Sequence, residues 1–208
     1  MVLGEAGKLH CVDRFCYLGD MIGEGGGIEE ATKARVRCVS SKFMELAPLL
    51  TSRGVSLKLK GKFYRSCIQR VLVYASETWV MMADDMKRLC RMERSMVRLM
   101  CGVTSKQRKS TNELMYQLGI EDVEIVVRRG RLRWFGHVVR KPKDDWVSLC
   151  RNVTVGGKRR RGRPRKTWRE CVVDDMKCLK LNERDAMDRT LWRRNIRGAR
   201  LTSASVEK

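Results

Sequence analysis

The stretch from Lys158 to Trp168 places the strongest limit on the fold, because it cannot enter a hydrophobic core. Seven of its eleven residues are Lys or Arg, and none is acidic. These charges cannot pair with one another, so they must stay in water or meet an external polyanion. A dense basic run of this kind is typical of a surface that binds nucleic acid.

The charge of the whole chain is also positive and is concentrated in its second part. Across 208 residues, 45 Lys and Arg stand against 24 Asp and Glu, which gives a net charge of +21. Residues 1–127 hold 20 basic and 15 acidic residues, whereas residues 128–198 hold 23 and 8. An apolar content of 43% is high enough for a folded core. We therefore expect an ordinary folded first part and a polyanion-binding second part.

Cysteine usage and hydropathy limit the compartment. The nine cysteines form no Cys-x-x-Cys pair and follow no charged-then-apolar leader. We therefore expect free thiols in a reducing compartment, nuclear or cytoplasmic, and not secretion. The longest apolar runs are far shorter than the roughly 20 residues that span a bilayer. No membrane partner is expected.

Hydrophobic periodicity predicts a mainly α-helical chain that begins with a β-hairpin. Residues 12–22 are rich in aromatic and β-compatible side chains and are followed by three adjacent glycines, which predicts one strand or hairpin. A first helix from Ile28 carries one apolar stripe: Val36, Val39, Phe43, Leu46 and Leu50. A second helix, with Ser56 as its N-cap, carries one stripe and a second line that widens it: Leu59, Phe63, Cys67 and Val71, then Tyr64, Ile68 and Leu72.

A third helix is predicted to open at Asp84 and Asp85 and to end before Gly102, with Glu93 as the residue that interrupts its apolar stripe. A short helix, Asn112–Leu118, follows. A longer one, from about residue 122 to residue 140, carries an apolar line and a separate basic line: Val123, Val127, Trp134 and Val138, then Arg129, Arg133 and Arg140.

Two further helices are expected after the basic run. Pro164 suits the first turn of a helix that carries Trp168 and Cys171. A last helix is predicted to begin near Asn182, with Asp185 completing a weak capping box.

Five sequence blocks occur in order along the chain: Phe15 to Gly19, Tyr74 to Trp79, Arg131 to Val138, Gly162 to Trp168, and Asp188-Arg189 with Trp192-Arg193. This series resembles the C-terminal part of the reverse transcriptase of non-LTR (LINE-type) retrotransposons. The resemblance covers nearly the whole chain, from about Cys11 to Arg197.

The resemblance implies a role for each part of the chain. Residues 1–27 would be the end of the palm with its primer-grip hairpin, and residues 28–110 a thumb-like helical bundle. Residues 111–198 would be a basic C-terminal helical region that holds template RNA or target DNA, and residues 199–208 are expected to form a disordered tail. The primer-grip-like residues would be Phe15, Tyr17, Leu18 and Gly19.

The catalytic carboxylates of this family lie on palm strands upstream of the primer grip, and this chain starts after that region. Met82-Ala83-Asp84-Asp85 imitates the family's Tyr/Phe-Ala-Asp-Asp motif. Two-metal phosphoryl transfer needs further carboxylates from another strand, however, so we interpret Asp84 and Asp85 as acids at a helix N-terminus. We expect no polymerase activity from this chain alone and no cofactor in it, since Mg²⁺ would belong to the missing palm.

The basic run has three interpretations. Arg161-Gly162-Arg163-Pro164 matches the core of an AT-hook, which inserts two arginines into a narrow minor groove. The run could also clamp phosphates without base choice, or serve as a nuclear-import signal or a solvated loop. Phosphate binding is favoured. The candidate contacts are Lys158, Arg159, Arg160, Arg161, Arg163, Arg165 and Lys166, together with Arg129, Arg133 and Arg140.

His137, Cys150, Cys171 and Cys178 are residue types that bind zinc, but their spacing lacks the tight pairs of known zinc modules. We expect no metal site here. Cys171 and Cys178 are interpreted as core residues, and His137 as a polar helix residue or a phosphate contact.

Aromatic side chains could stack on bases. Four tryptophans lie on apolar stripes or in apolar runs, which favours packing instead: Trp79, Trp134, Trp168 and Trp192. Phe15 and Tyr17 point the same way from one strand, so one could touch the primer backbone and the other the core.

The sequence therefore predicts a fragment that binds RNA or DNA, for example template–primer duplex or element RNA, through phosphate contacts and without its own catalytic palm. The alternative is a nuclear helical module, adopted by the host, whose apolar faces bind protein and which has no enzymatic role.

Replacing five arginines of the basic run with Gln is expected to weaken binding to RNA and DNA broadly without abolishing the fold: Arg159, Arg160, Arg161, Arg163 and Arg165. The salt dependence of affinity should become shallower, because a protein that makes fewer phosphate contacts releases fewer counterions when it binds. Affinity measured over a range of salt concentrations gives this slope. A near-zero slope that the substitutions leave unchanged would favour the protein-interaction module.

Overall fold

A computed structural model of the chain describes residues 12–17, 20–23, 28–104, 106–153 and 166–198. The described part of the chain is mainly α-helical and begins with a two-stranded antiparallel sheet, which confirms the predicted fold class. Strand β1 (Arg14–Tyr17) pairs with β2 (Asp20–Gly23), and Phe15 lies opposite Ile22. Leu18 and Gly19, which the sequence places in the primer-grip-like hairpin, lie outside the described residues.

The helical elements follow in this order: α1 (Ile28–Leu50), α2 (Leu57–Phe63), a π-helical segment (Tyr64–Gln69), α3 (Arg70–Leu72), a first 3₁₀ helix (Ser76–Thr78), α4 (Ala83–Met100), α5 (Thr111–Leu118), α6 (Val123–Val139), α7 (Trp146–Asn152), α8 (Trp168–Leu179), a second 3₁₀ helix (Glu183–Met187) and α9 (Arg189–Gly198). Among the helices that the structure describes, none combines the length and the apolar character that crossing a membrane requires.

Local sequence sets the ends of the first helices as predicted. The Ser56 hydroxyl accepts a hydrogen bond from the amide of Leu59 and caps α2. Gly102 and Gly119 follow α4 and α5 with φ of +64° and +67°. Glycine adopts this left-handed conformation without a Cβ penalty, so it ends a helix readily.

The second half of the chain differs from the prediction at helix α8. Pro164 lies outside the described residues, and the helix starts at Trp168, so Pro164 is not in its first turn. Thr167 is the N-cap instead. Its amide donates to the Glu170 carboxylate (2.6 Å), and its hydroxyl accepts from the Glu170 amide (3.3 Å). This reciprocal capping box satisfies two amides that the helix itself cannot pair.

Two further differences concern α7 and α9. Helix α7 was not predicted, and Asp145 caps it by accepting from the amide of Val147 (2.9 Å). The single helix expected from Asn182 is divided: the Asn182–Asp185 capping box starts the second 3₁₀ helix. Asp188 then accepts hydrogen bonds from two amides of the next turn and starts α9.

The buried side chains form two hydrophobic clusters. The first lies among α1, α2, the π-helical segment, α3, α4, α5 and the start of α6, and ends at Val127. The second holds residues from the later part of α6 and from α8, the second 3₁₀ helix and α9: Leu132, Phe135, Val172, Met176, Ala186, Trp192 and Ile196. Helix α6 contributes to both clusters and joins them. The predicted boundary at residue 111 stays a prediction, and the first cluster continues past it.

The second predicted helix buries a different line of residues than expected for its leading stripe. Tyr64, Ile68 and Leu72 are fully buried, whereas Leu59 is 43% exposed. The three buried residues recur every fourth position and face the first cluster.

Glu93 on α4 lies at the centre of the first cluster and is fully buried. Its carboxylate accepts hydrogen bonds from the Tyr64 hydroxyl (3.1 Å), the Gln69 side-chain amide (3.2 Å) and the Val123 backbone amide (2.7 Å). Tyr64 and Gln69 are five positions apart, which in an α-helix would separate them by about 140°. The π-helical segment turns both toward Glu93. The one residue that interrupts the apolar stripe therefore connects three helices.

Burial raises the pKa of Glu93 from 4.5 to about 7, although the hydrogen bond from Val123 opposes this shift. A carboxyl whose pKa is raised in the folded state contributes its stability fully below the unfolded pKa and loses it as pH rises through the folded pKa. The contribution of Glu93 should therefore decline between about pH 4.5 and pH 7 by up to about 3 kcal/mol.

Glu93→Gln should make the free energy of unfolding less dependent on pH over this interval. It should also destabilise the protein by about 1–3 kcal/mol at acidic pH, because an amide cannot accept from Tyr64, Gln69 and Val123 at once. Denaturant unfolding at several pH values measures both effects. Glu45→Gln, at an exposed carboxylate of α1, is the control and should retain the wild-type pH dependence. Parallel pH curves for wild type and Glu93→Gln would contradict the assignment.

Candidate nucleic-acid interface

A close contact between α6 and α9 forms the candidate site. The Trp192 side chain is buried, and its indole nitrogen donates to the backbone carbonyl of Leu132 (2.9 Å). A Cβ atom added at Gly136 would lie 2.4 Å from that nitrogen, so a larger residue would push the helices apart. Gly136 therefore allows α9 to lie directly on α6.

This contact leaves an open groove between the two helices, with a volume of about 720 Å³. The first 3₁₀ helix contributes Glu77 and Thr78 to its wall. The remaining polar and aromatic side chains of the groove come from α6 and α9: Arg133, Trp134, His137, Arg140, Arg189, Trp192 and Arg193. We call this surface the α6–α9 groove.

The α6–α9 groove carries four arginines and one carboxylate. Arg133 lies 3.7 Å from the Glu77 carboxylate and remains largely exposed. Within the described part of the chain, Arg189 and Arg193 have no carboxylate at ion-pair distance. Burial lowers the pKa of Arg140, and repulsion by Arg189 and Arg193 lowers it further. The groove thus has a positive potential that suits an anion.

The positive surface continues along α9. Arg189, Arg193 and Arg197 recur at intervals of four residues, so they lie along one side of the helix, while Trp192 and Ile196 are buried. A second open cavity of about 820 Å³ follows these arginines and also contacts Arg194. Like charges at this spacing repel each other by about 0.2–0.5 kcal/mol per pair in a helix. The stripe is therefore not a feature that stabilises α9 by itself.

Of the predicted phosphate contacts, the structure brings Arg133 and Arg140 together in the groove. Arg140 also donates a hydrogen bond to the carbonyl of Ala186 and so holds the second 3₁₀ helix. Arg129 lies outside the groove, where one of its terminal nitrogens lies 3.0 and 2.8 Å from the two carboxylate oxygens of Glu121.

The basic run is described only at its end. Lys166 pairs with Asp174 (2.7 Å), and this hydrogen bond raises the pKa of Lys166. The other predicted contacts of the run lie outside the described residues: Lys158, Arg159, Arg160, Arg161, Arg163 and Arg165. Their role in phosphate binding stays a prediction.

The sequence reasoning did not identify the arginines of α9 as site residues. The sequence does contain a pattern that marks them, because Arg189, Arg193 and Arg197 repeat every fourth residue and so lie on one side of a helix. The missing information was tertiary: α9 lies beside α6 and sets these arginines next to Arg133 and Arg140.

The tryptophans divide into packed and exposed side chains. Trp79 and Trp192 are buried, which confirms the packing predicted for them, and Trp168 is partly buried with its indole nitrogen donating to the carbonyl of Glu77 (2.8 Å). The prediction is wrong for Trp134, which is 36% exposed. Its ring centroid lies 5.4 Å from that of His137. The buried face of α6 rotates between the two clusters and leaves Trp134 on the groove.

The four residues of zinc-binding type, His137, Cys150, Cys171 and Cys178, do not form a common site in the described part of the chain. Cys171 is buried as predicted, with its thiol near the carbonyl of Met81 (3.9 Å). Cys178 was predicted in the core but is exposed near the end of α8, and Cys150 is also exposed. His137 lines the α6–α9 groove. The eight cysteines in the described ranges carry free thiols, as predicted.

Another group of potential metal ligands in the described part of the chain is Cys90, Asp122 and Glu124. Burial and the nearby carboxylates raise the pKa of the Cys90 thiol to about 12, so it stays protonated. Asp122 caps α6 by accepting from the Glu124 amide, and the Glu124 carboxylate pairs with Arg128. Helix capping and ion pairing therefore account for this group.

The acidic pair at α4 has the predicted place in the first turn of the helix. Asp84 is exposed and pairs with Lys87 (3.3 Å). Asp85 is buried and hydrogen-bonds to the backbone of Met82, and burial raises its pKa. These contacts are those of acids at a helix N-terminus.

Phe15 and Tyr17 lie on one face of β1, and their ring centroids are 6.3 Å apart. Both are exposed, at 54% and 55%, so the expectation that one of them enters the core is wrong. The hairpin contacts α1 through β2 and through the ion pair of Arg14 with Glu30 (3.1 Å), and the face of β1 that carries the two rings is exposed.

No protein-family model matches the chain, and no solved structure matches it. An uncharacterized transposon-derived protein of Caenorhabditis elegans is 23% identical over 146 residues, which cover 68% of this chain and 52% of that protein. The chain thus matches about half the length of this curated relative. The similarity points to a transposon origin.

Proposed function

We propose that this chain binds nucleic acid through the α6–α9 groove, as the C-terminal part of a retrotransposon reverse transcriptase that grips template–primer by its phosphates. The observation that carries the proposal is the meeting of Arg133, Arg140, Arg189 and Arg193 around one groove that contains a single carboxylate. The similarity to a transposon-derived protein supports the retrotransposon part of the proposal.

The electrostatics of the groove favour a nucleic-acid strand, with its successive phosphates, over a small anion of low charge. A nucleic-acid strand presents successive phosphates, and each can meet one guanidinium through charge-assisted hydrogen bonds. Binding would also relieve the repulsion that lowers the pKa of Arg140. Contacts of this kind are independent of base sequence and weaken as salt concentration rises.

The proposed role is binding without catalysis. Asp84 is paired with a lysine, and Asp85 is buried in the first turn of α4. In the described ranges, the group of Cys90, Asp122 and Glu124 is the one cluster of potential metal ligands, and hydrogen bonds and an ion pair occupy it. A purified preparation of this chain should therefore extend no primer on a homopolymer template with Mg²⁺ or Mn²⁺. Any template-dependent product would overturn the non-catalytic role.

Replacing Arg133, Arg189 and Arg193 with Gln should weaken binding to RNA or DNA and make its salt dependence shallower. The log–log slope should fall by about 2 for a single strand, since each lost phosphate contact contributes roughly 0.7. Arg140 is left unchanged because it also holds the carbonyl of Ala186. Fluorescence anisotropy with labelled oligonucleotides at several salt concentrations gives the slope.

A matched control removes the same charge from another surface. Lys58, Lys62 and Arg65 are exposed on α2 and the π-helical segment, away from the groove. Their replacement with Gln should change the slope much less than the groove variant does. Equal losses in the two triple variants would show that net charge, and not the groove, determines binding. Wild-type affinity in the groove variant would show that nucleic acid binds elsewhere and would overturn the role of the groove.

A further inference from the structure

A different cavity, which does not include the arginines of α9, adjoins the α6–α9 groove on the other side of Trp134. It lies between α6, α7 and α8 and has a volume of about 540 Å³. Trp134 and Thr78 line both this cavity and the groove, so the two openings share a wall. We call this cavity between α6, α7 and α8 the Trp134 pocket.

The walls of the Trp134 pocket are mainly apolar and aromatic. Trp134 and Trp168 provide two indole surfaces, and Val138 and Val147 provide aliphatic ones. Trp168 is held in place by its hydrogen bond to the carbonyl of Glu77. Flat aromatic surfaces in a cavity of this size suit a planar ligand, since bound small molecules occupy pockets of about 300–1,000 Å³.

One edge of the pocket is polar. Arg169 and Glu183 form an ion pair there (2.6 Å), and each side chain remains 46% exposed. This edge offers both hydrogen-bond donors and acceptors to a ligand in the pocket. Nucleobases combine a planar ring with donors and acceptors along one edge, so they match the pocket in shape and in chemistry.

We propose that the Trp134 pocket receives one unpaired base of a single-stranded RNA or DNA whose neighbouring phosphates lie in the α6–α9 groove. The proposal rests on phosphate binding in that groove. A base inside a duplex is stacked and paired, so it cannot reach the pocket without leaving the helix. The chain should therefore bind single strands more tightly than duplexes of the same length.

Charge is the reason to prefer a nucleic acid over a neutral planar molecule. The groove beside the pocket holds Arg133, Arg140, Arg189 and Arg193, and a free base would leave these charges unmatched. Arg151 and Arg169 line the pocket itself. The described surface around the opening thus favours a ligand with several phosphates.

The test compares an intact single strand with a strand of the same length that has no bases but keeps every phosphate. Wild-type protein should bind the intact strand about 5- to 150-fold more tightly, the range measured for stacking of one base on an aromatic side chain. Trp134→Ala should lose most of this preference by weakening binding of the intact strand. Its affinity for the abasic strand should fall much less, because the four arginines of the groove are retained, although Trp134 also lines that groove.

Two further variants keep the test decisive if Trp134→Ala unfolds. Val147→Trp fills the pocket from α7 without altering Trp134, and it should reduce affinity for the intact strand only. Tyr116→Ala removes an aromatic side chain that is 88% exposed on α5, lines neither cavity and should leave both affinities unchanged. Circular dichroism and thermal unfolding check that each variant is folded.

The outcomes separate the pocket from the groove. Equal binding of intact and abasic strands by wild-type protein, with both lost in the Arg133, Arg189 and Arg193 triple variant, would overturn the base pocket and leave the groove in place. Failure of wild-type protein to bind either strand at low salt would overturn both. Tighter binding of duplex than of single strand would also contradict the pocket.

Discussion

The contact between the Trp192 indole and the backbone of α6 at Gly136 determines the geometry of the candidate site. The indole fills the second hydrophobic cluster against Phe135, with ring centroids 6.2 Å apart, and donates to the carbonyl of Leu132. Because position 136 has no Cβ, the axes of α6 and α9 can approach closely enough for their arginines to share one groove. A packing requirement of the core therefore fixes the spacing of the charges on the surface.

Helix α6 must keep one register for this arrangement to persist, and two buried polar contacts hold it. Its first amide, at Val123, donates to the Glu93 carboxylate in the first cluster. Farther along, Arg131 and Arg128 lie 3.2 and 3.5 Å from the buried carboxylate of Asp175 on α8. Burial raises the pKa of Asp175 to about 6 in spite of these arginines. Buried charges add little net stability, but a helix that slips by one residue leaves them unpaired.

The sequence predicted those features that depend on neighbours along the chain and missed those that depend on the fold. The stripes of α1 and α4 and the glycines after α4 and α5 are local signals, and these elements occur as predicted. Helix α7 is short, and its apolar residues do not mark a buried face, since Trp146 and Leu149 are exposed. The exposure of Trp134 could not be predicted either, because α6 packs against one cluster and then against another, and its buried face rotates between them.

Glu77 compensates only part of the charge of the groove, although several other carboxylates lie near α9 in the sequence. Asp188 accepts from the amides of Thr190 and Leu191, and these bonds lower its pKa. Asp185 accepts from the amide of Asn182, and Glu183 pairs with Arg169. Each of these acids has another structural partner, so none of them forms an ion pair with Arg189 or Arg193. The acids near α9 are used for capping, and its arginines lie beside those of α6. Repulsion among these arginines therefore lowers the stability of the folded state. An anion that binds the folded state can restore that stability, since a ligand stabilises the state to which it binds.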